Sequence, residues 1–593
     1  MNWHARALGL SMAPATLVVG GTRSRDGCAT LVVEAIIRGM SQERSVFAWA
    51  KLIACCTLLS RVTGLIREML LAQTFGLRWV LDSFNFAFQI PNLFRRLLGE
   101  GAMAAVFVPT FTRTLEKDGR PTAWRVLART LALLTLTLLA IIVVIAVVIA
   151  VIWFLAIPAD PEALASRRLI LGLTALMLPF MLTVCVLALF SAILNCVGSF
   201  VPAALAPVLL NLCMIAGIAW LGPAISPEDP NGQIYVVALT VVAAGVLQIA
   251  FILVVLRLNN VPLGWRFEPR DPTVRQMLHL LVPVALGQGV LAFGVFLDAG
   301  ICTLLTHKTG TPTTMSLLGG EIAYPLEEGA LSAITCAQRL YQFPLGVLVI
   351  SLATAAMPVF SRLAAREDWR AWKVEVRQSL RLAVFEGILS GTMMIVLAVP
   401  IVRFLFEYNR FTPENTSRAA HVLVFYGLAR WAYCAQHIVL RGFYSYQDVH
   451  TPLKISITVL PLNVLLTLSL LWFDSIREAA FALSSMVTSG LSVIVGLIIL
   501  QRRTGQRLID PALASAVVRM LLAAVVAGLS VQGLWRLRSL VEEALPGGVV
   551  LRFVETMVPL FFGVVVFLGV AWMLRLPEVG LLLAHGRRPV RKE

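Results

Sequence analysis

Long apolar runs recur along the whole chain, and they limit its fold more than any other feature. Of its 593 residues, 58% are hydrophobic and only 14% are charged. A helix needs roughly 20 apolar residues to cross a bilayer. Fourteen segments are long enough, near residues 47–75, 80–111, 126–156, 168–196, 201–222, 234–256, 275–306, 328–360, 378–405, 417–444, 452–473, 477–500, 513–535 and 549–575. The pattern predicts an all-α polytopic membrane protein.

The loops between these segments predict an orientation. Lysine and arginine cluster after the second, sixth, eighth, twelfth and fourteenth segments, whereas the alternate loop LGPAISPEDPNGQ contains neither. Positive charge is enriched in cytoplasmic loops, so we expect both termini in the cytoplasm. The net charge of +16 follows from these short clusters. It therefore gives no reason to expect a nucleic-acid partner.

The chain also contains an internal repeat. FQIPN at 88–92, followed by AAVFVPTFTR, resembles YQFPL at 341–345, followed by ATAAMPVFSR, and Pro202 corresponds to Pro452. We interpret this as two parallel six-helix lobes, the architecture of alternating-access transporters, with two further helices outside the repeat. Chance similarity between apolar helices is the alternative.

The repeat sets the predicted domains. They are an N-lobe at 44–258, a C-lobe at 259–503, and a C-terminal region at 504–593 with two helices and a basic tail. Residues 1–43 form an N-terminal extension, expected to be disordered or to result from a mis-assigned start codon, since Met40 begins a conventional lead into a membrane helix. The segment near 307–327 is rich in Gly, Thr and Pro and is expected to be an external excursion rather than a domain.

Charged residues stand inside the first two apolar segments. In the second segment, polar residues recur every three or four positions and so share one helical face. They are Asp82, Asn85, Gln89, Asn92, Arg96 and Glu100. A charge at the bilayer centre costs about 2.5–3.5 kcal/mol, so these groups should face a water-filled, protein-lined cavity. A cationic cavity implies an anionic cargo.

The arginine fork suits bidentate contact with phosphate. The predicted substrate-binding residues are Arg61, Arg67, Arg95, Arg96, Arg339, Asn92, Asp82 and Glu100. Asp82 and Glu100 are expected to pair with arginines in one state and release them in another, while Gly64 and Pro91 act as hinges. The alternative is that the arginines extend to lipid headgroups, which we prefer for Arg113 and Arg362.

Asp298 is an isolated carboxylate within the seventh segment and, with Asn463, forms a candidate ion site. It could instead pair with an arginine or remain protonated. The nine cysteines include no C-x-x-C pair, and the chain carries no recognisable enzyme motif, so we expect neither a metal centre nor catalysis. Without a cofactor or ATPase, uphill work would depend on Na⁺ or H⁺ coupling or on the membrane potential.

Four stretches together resemble one family. SRVTGLIRE, LDSFNFAFQIPNLFRRLLGEGA, RLYQFPLGVLVISLATAAMPVFSR and GFYSYQDVHTPLKISI are similar to the MurJ (MviN) family of lipid II flippases, over about residues 45–505. The family belongs to the multidrug, oligosaccharidyl-lipid and polysaccharide exporter superfamily. The resemblance implies two six-helix lobes, with two C-terminal helices that form a groove for the lipid tail.

The resemblance also assigns residues. It places the family's essential cavity arginines on Arg61, Arg67, Arg95 and Arg339, and its acids on Asp82 and Glu100. Two departures are Gln89, where many relatives have lysine, and Gln338, where many have an acid. Some relatives bind sodium between helices seven, eleven and twelve, which would correspond to the Asp298 and Asn463 region.

The implied function is the movement of lipid II, an undecaprenyl-diphosphate-linked disaccharide-pentapeptide, to the outer leaflet of the bacterial cytoplasmic membrane. This would be transport by alternating access, serving peptidoglycan synthesis and cell shape. The expected protein is a monomer among membrane lipids, in association with the cell-wall synthesis machinery. The alternatives are a flippase for another polyprenyl-diphosphate-linked oligosaccharide, an exporter of the same fold, or a membrane scaffold that performs no transport.

Overall fold

A computed structural model describes residues 46–583, except 98–103, 156–160, 269–270, 309–311, 318–319, 537 and 539–547. Helices dominate it, which confirms the predicted all-α class. The chain divides after Leu52 into two compact units, and the architecture given below is that of the larger, Ile53–Glu593. The predicted extension at 1–43 lies outside the described residues.

Seven helices make up the first half of the chain. They are α1 (Val46–Phe75), α2 (Trp79–Phe94), α3 (Ala104–Lys117), α4 (Arg120–Leu155), α5 (Pro161–Cys196), α6 (Val201–Ala216) and α7 (Pro230–Leu258). A π-helical turn at Gly217–Leu221 and a short helical turn at Gly222–Ile225 extend α6.

The remaining helices follow in the second half. They are α8 (Pro272–Leu304), α9 (Ala330–Pro344), α10 (Ile350–Ala365), α11 (Trp369–Val396), α12 (Ala398–Phe406), α13 (Pro413–Ser445), α14 (His450–Leu470), α15 (Ala480–Thr504), α16 (Pro511–Trp535), α17 (Val549–Met573) and α18 (Pro577–Leu583). Between α8 and α9, strands β1 (Thr314–Leu317) and β2 (Gly320–Ala323) form an antiparallel hairpin with Thr314 opposite Ala323. This hairpin lies in the predicted external excursion, where no strand was expected.

Several helices begin where the sequence carries a capping residue followed by proline. The Asp229 carboxylate accepts hydrogen bonds from the backbone N–H groups of Asn231 and Gly232, at 2.9 and 2.8 Å. Asp510 caps α16 in the same way, through Leu513 N at 2.9 Å. Proline at the first helical position loses nothing, because that N–H would have no partner inside the helix. These starts therefore follow from local sequence alone.

Nine helical segments among the described residues are long and apolar enough to cross a bilayer. They are Arg120–Leu155, Pro161–Cys196, Val201–Ile225, Pro230–Leu258, Trp369–Val396, His450–Leu470, Arg477–Thr504, Pro511–Trp535 and Val549–Met573. Helices α1 and α13 are also long, at 30 and 33 residues, but they are more polar. The total of fourteen crossings stays a prediction.

The two copies of the repeat share a local distortion. Pro91 lies inside α2, which gives way to a π-helical turn at residues 95–97. Its counterpart Pro344 ends α9, and a π-helical turn follows at Leu345–Val349. Proline lacks the N–H that the preceding turn needs, so the hydrogen-bond ladder shifts at this point. Both distortions occur beside the same central cavity.

Three apolar clusters hold the larger unit together. One joins the helices of the first half, from Leu71 to Val261, and reaches Met277 of α8. A second runs from Leu345 to Val579 and includes α16 and α17. A third joins Ala72 and Leu77 of the first half to residues 299–482 of the second. The third cluster fixes α1 and α9 close enough for polar side chains from both halves to meet.

Candidate cationic cavity

A cavity of about 250 Å³ lies where α1, α2, α6 and α9 approach one another. Six of the predicted binding residues line it, namely Arg61, Arg67, Arg95, Arg96, Arg339 and Asn92. No carboxylate is among its lining residues in the described part of the chain. The structure therefore brings all five predicted arginines together, four from the first half and one from the second.

Glu68 is a carboxylate that pairs with two of these arginines, and sequence reasoning missed it. Its Oε1 atom forms a very short ion pair with Arg67 and lies 3.0 Å from Nε of Arg339. The ion pair between Glu68 and Arg339 joins α1 of the first half to α9 of the second. Neighbouring residues on a helix point in different directions, so the pattern alone did not pair Glu68 with Arg67. The signal was its position as an acid within the motif SRVTGLIRE.

Arg67 is buried, with only 7% of its surface exposed, and a second polar partner holds it. Its Nη1 atom donates to Oδ1 of Asn211 on α6, at 3.0 Å. The Asn211 amide in turn donates to the Ser60 carbonyl and to Oγ1 of Thr63, both at 3.1 Å. The sequence signal for this contact was a single asparagine in the otherwise apolar helix α6.

Gly64 was predicted to bend or break its helix, and the helix is not broken there. Helix α1 runs without interruption from Val46 to Phe75. A Cβ atom at Gly64 would lie 3.4 Å from Nδ2 of Asn211. This is an ordinary van der Waals distance, so the approach of the Asn211 amide does not by itself require a glycine at this position. Pro91 does precede a distortion, and its role as a hinge stays a prediction.

Arg61 crosses to the second half of the chain. A Cβ atom at Gly346 would lie 1.8 Å from Nη1 of Arg61, so the guanidinium group occupies the space of a side chain there. Gly346 belongs to the π-helical turn that follows α9. Arg61 of α1 thus lies against the second half of the chain, while Arg67 of α1 bonds to α6 of the first half.

Asp82 is paired with α9 and not with a cavity arginine in the conformation described, and its pairing with arginines in another state stays a prediction. Asp82 does not line the cavity, and its carboxylate accepts from Gly329 N at 2.8 Å, Ser332 N at 2.7 Å and Ser332 Oγ at 2.6 Å. It therefore caps the N-terminus of α9. In return, Glu328 accepts from Trp79 N at 2.9 Å, at the start of α2. The two repeat-related helices exchange carboxylate caps, which suits the positive end of each helix dipole. Glu100, the other predicted acid, lies outside the described residues.

The candidate ion-site residues do meet, away from the arginines. The Asn463 amide donates to Oδ1 of Asp298 at 3.3 Å, and Oγ1 of Thr488 donates to Oδ1 of Asn463 at 3.2 Å. These residues belong to α8, α14 and α15. Within the described residues, no group of three or more His, Cys, Asp or Glu side chains could hold a metal. An ion at this place would therefore depend on Asp298 and neutral oxygens.

The two departures from the family pattern lie close together. Gln89 and Gln338 both line a smaller adjoining cavity of about 80 Å³. Nε2 of Gln338 donates to the hydroxyl of Tyr426, at 2.9 Å. Both side chains are neutral, so they leave the charge of this region to the arginines and Glu68.

Comparison with known proteins gives a consistent result. The family model described as "Lipid II flippase MurJ" matches residues 71–545. The "Probable lipid II flippase MurJ" of Rhizobium tropici is 30% identical over 475 residues, 80% of this chain and 84% of that protein. The "Lipid II flippase MurJ" of Burkholderia cenocepacia is 30% identical over 416 residues, 68% of this chain and 74% of that protein.

Solved structures are similar at the level of the fold. A lipid II flippase MurJ in an inward closed conformation matches with a TM-score of 0.67 and 19% identity, covering 88% of this chain and 98% of that one. An inward-facing multidrug resistance MATE family transporter matches with a TM-score of 0.58 and 13% identity, covering 76% and 98%.

Proposed function

Because this chain belongs to the lipid II flippase MurJ family, we propose that its five-arginine cavity binds the diphosphate of lipid II during transfer between leaflets. Membership confirms the resemblance predicted from the sequence. The protein is a multi-pass protein of the bacterial inner membrane, a transporter rather than an enzyme.

One observation carries the assignment of the cavity. Five guanidinium groups from both halves surround a single space. Glu68, which pairs with Arg67 and Arg339, lines the adjoining smaller cavity and not this one. Arg339 keeps 39% of its side chain exposed, so an entering anion can reach it. A diphosphate offers several acceptor oxygens to such forks. It would compete with Glu68 for Arg339 and so loosen the contact between α1 and α9.

The proposed transport cycle moves the headgroup through the protein while the lipid tail stays in the bilayer. Helices α16 and α17 carry exposed apolar side chains such as Leu529 and Phe561, along which the tail would run. Rocking of the lobes at 44–258 and 259–503 would then expose the cavity to the outside. An inside-negative potential favours the outward movement of anions by about 2.3 kcal/mol per charge per 100 mV.

After the cargo is released, the empty protein must return to the inward-open state, and this step needs a second driving force. We assign this to the Asp298 and Asn463 site, where Na⁺ or H⁺ would neutralise the carboxylate, or to the membrane potential acting on the arginines themselves. We further propose that both termini are cytoplasmic and that the protein acts as a monomer in contact with the cell-wall synthesis machinery.

Complementation tests this proposal. Bacteria depleted of their own lipid II flippase should grow when supplied with the wild-type chain, and should fail with Arg95→Ala at equal membrane expression. Arg113→Ala is the matched control, because Arg113 is exposed and does not line the cavity, and it should rescue growth.

Three outcomes would contradict parts of the proposal. Rescue by Arg95→Ala would remove the arginine mechanism. If no variant, including the wild type, rescued growth, and the protein transported another polyprenyl-diphosphate-linked oligosaccharide in vesicles, that lipid would replace lipid II as the proposed cargo. Rescue without any lipid II movement in vesicles would favour a scaffold.

A further inference from the structure

A second cavity opens beside the five arginines, and the transport cycle above makes no use of it. Its volume is about 260 Å³, and its walls come from α2, α5, α6 and α7 of the first half. It shares Asn92, Arg95, Pro207 and Leu210 with the cationic cavity. The two spaces are therefore contiguous at Arg95, and we call the second one the side cavity.

Gln248 supplies a buried acceptor at the wall of the side cavity. Only 3% of its surface is exposed, and its Nε2 atom donates to the Ala206 carbonyl at 2.6 Å. A carbonyl can only accept, so the amide must turn its NH₂ towards Ala206 and its oxygen away. That oxygen, Oε1, has no hydrogen-bond partner among the described residues. A buried acceptor without a donor costs about 1–3 kcal/mol. The Gln248 oxygen is itself covered, so the amide would turn towards the cavity when a ligand donates to it.

A second acceptor follows from a proline. Pro207 lies inside α6 and has no N–H, so the Ala203 carbonyl lacks the donor that a regular helix would supply four residues later. Ala203 and Pro207 both line the side cavity. The wall therefore offers two acceptors, one from a side chain and one from the backbone, on neighbouring helices.

The remaining lining residues define the chemistry of the ligand. Asn92, Asn195 and Ser191 can both donate and accept, and the wall includes no carboxylate among the described residues. Phe180 adds an apolar surface, and its ring stacks on Phe88 with centroids 6.0 Å apart. These groups suit a neutral ligand with several O–H or N–H donors and one apolar face. Such a ligand would be attached to an anion, because Arg95 stands at the boundary.

We propose that the side cavity binds the sugar ring next to the diphosphate, while Arg95 holds the phosphate at its entrance. The sugar site rests on the proposed function, and it adds a means of selecting the cargo. The volume is slightly below the roughly 300–1,000 Å³ of pockets that hold drug-sized ligands, which suits one sugar ring rather than the whole headgroup. The protein would thereby distinguish a glycosylated polyprenyl diphosphate from the bare polyprenyl diphosphate.

The test fills the side cavity without touching an arginine. Ala188 lines it on α5, so Ala188→Leu occupies the space of the sugar. Ala175→Leu on the same helix is the matched control, because Ala175 is exposed. The full-length protein in lipid nanodiscs is titrated with lipid II and, separately, with undecaprenyl diphosphate. Wild type and Ala175→Leu should bind lipid II about tenfold more tightly than undecaprenyl diphosphate, and Ala188→Leu should bind both alike.

Should Ala188→Leu fold poorly, Ser191→Ala provides a second variant that removes a hydroxyl from the same wall without adding bulk. It should reduce the preference for lipid II and leave binding of undecaprenyl diphosphate within about twofold.

The outcomes separate the two proposals. Equal binding of the two lipids by a wild-type protein that still flips lipid II would overturn the side cavity as a sugar site and leave the proposed function standing. An equal loss for both lipids in Ala188→Leu would also overturn it, since the effect would then concern the shared diphosphate or tail. Binding of neither lipid by the wild type would overturn the proposed function, and the sugar site with it.

Discussion

Arg430 and Arg339 are both arginines within helices of the second half, yet their surroundings differ completely. Arg430 is 0% exposed, and each branch of its guanidinium is satisfied, by Glu386 at 2.8 Å, Ser390 Oγ at 2.8 Å and the Tyr341 carbonyl at 2.5 Å. The Cys434 thiol donates to the second oxygen of Glu386, at 3.1 Å. Arg339 instead reaches an open cavity and shares Glu68 with Arg67.

The difference shows that an arginine in a membrane helix is not by itself a functional signal. At Arg430 the charge is closed off by partners from α9, α11 and α13 and serves to hold these helices together. At Arg339 one carboxylate serves two guanidinium groups, so positive charge is left for a ligand. Mutations should therefore affect stability at one arginine and transport at the other.

The largest expected effect is on stability, at Arg430. Arg430→Leu would leave Glu386 buried without its cation, which should lower the free energy of unfolding by about 3–5 kcal/mol. The double variant Arg430→Leu/Glu386→Leu should recover most of that loss, because no unpaired charge remains. Thermal unfolding of the purified protein would measure both. Equal instability of the single and double variants would contradict a closed ion pair.

The next effect should appear in transport, at Arg339. Arg339→Gln removes a cavity cation that is 39% exposed on its side chain, so the unfolding midpoint should stay close to that of the wild type. Loss of a charged contact to the cargo costs about 2 kcal/mol, which corresponds to roughly thirtyfold weaker binding of lipid II. Binding and flipping assays in vesicles would test this. Normal transport by a stable Arg339→Gln protein would show that Arg339 has no role in transport, and would contradict the functional difference from Arg430.

The smallest effect is expected at Asp82. This prediction extends the comparison from the two arginines to a carboxylate within a membrane helix. Asp82→Ala removes the cap of α9 and should cost about 1–2 kcal/mol of stability. Asp82→Asn keeps an accepting oxygen and should cost less than Asp82→Ala. Unfolding midpoints of the two variants would give this order. If both were as stable as the wild type but inactive, Asp82 would act on the cargo, as the sequence first suggested.

Helical periodicity placed Asn92 and Arg96 on one face, and both line the cavity, but Asp82 on the same face does not. Asp82 and Arg96 share a face of α2, but they are fourteen residues apart, or about 21 Å along a helix axis. A common face therefore does not mean a common site, and Asp82 meets the start of α9 instead. Glu68 was missed for the opposite reason, since its long side chain reaches Arg67 although neighbouring helical residues point apart.

The sequence by itself determined the class of protein, the helices and the residues that make its cavity cationic, because bilayer length and the cost of buried charge act on each segment independently. It also determined the family, through motifs that span both halves. Only the tertiary structure decided which carboxylate meets which arginine, that Asn211 braces Arg67 and the backbone of α1, and that Gln248 and Pro207 leave acceptors in the helices next to Arg95. These contacts join helices far apart in the chain, and their geometry depends on how the helices rotate and pack against one another, which no local pattern specifies.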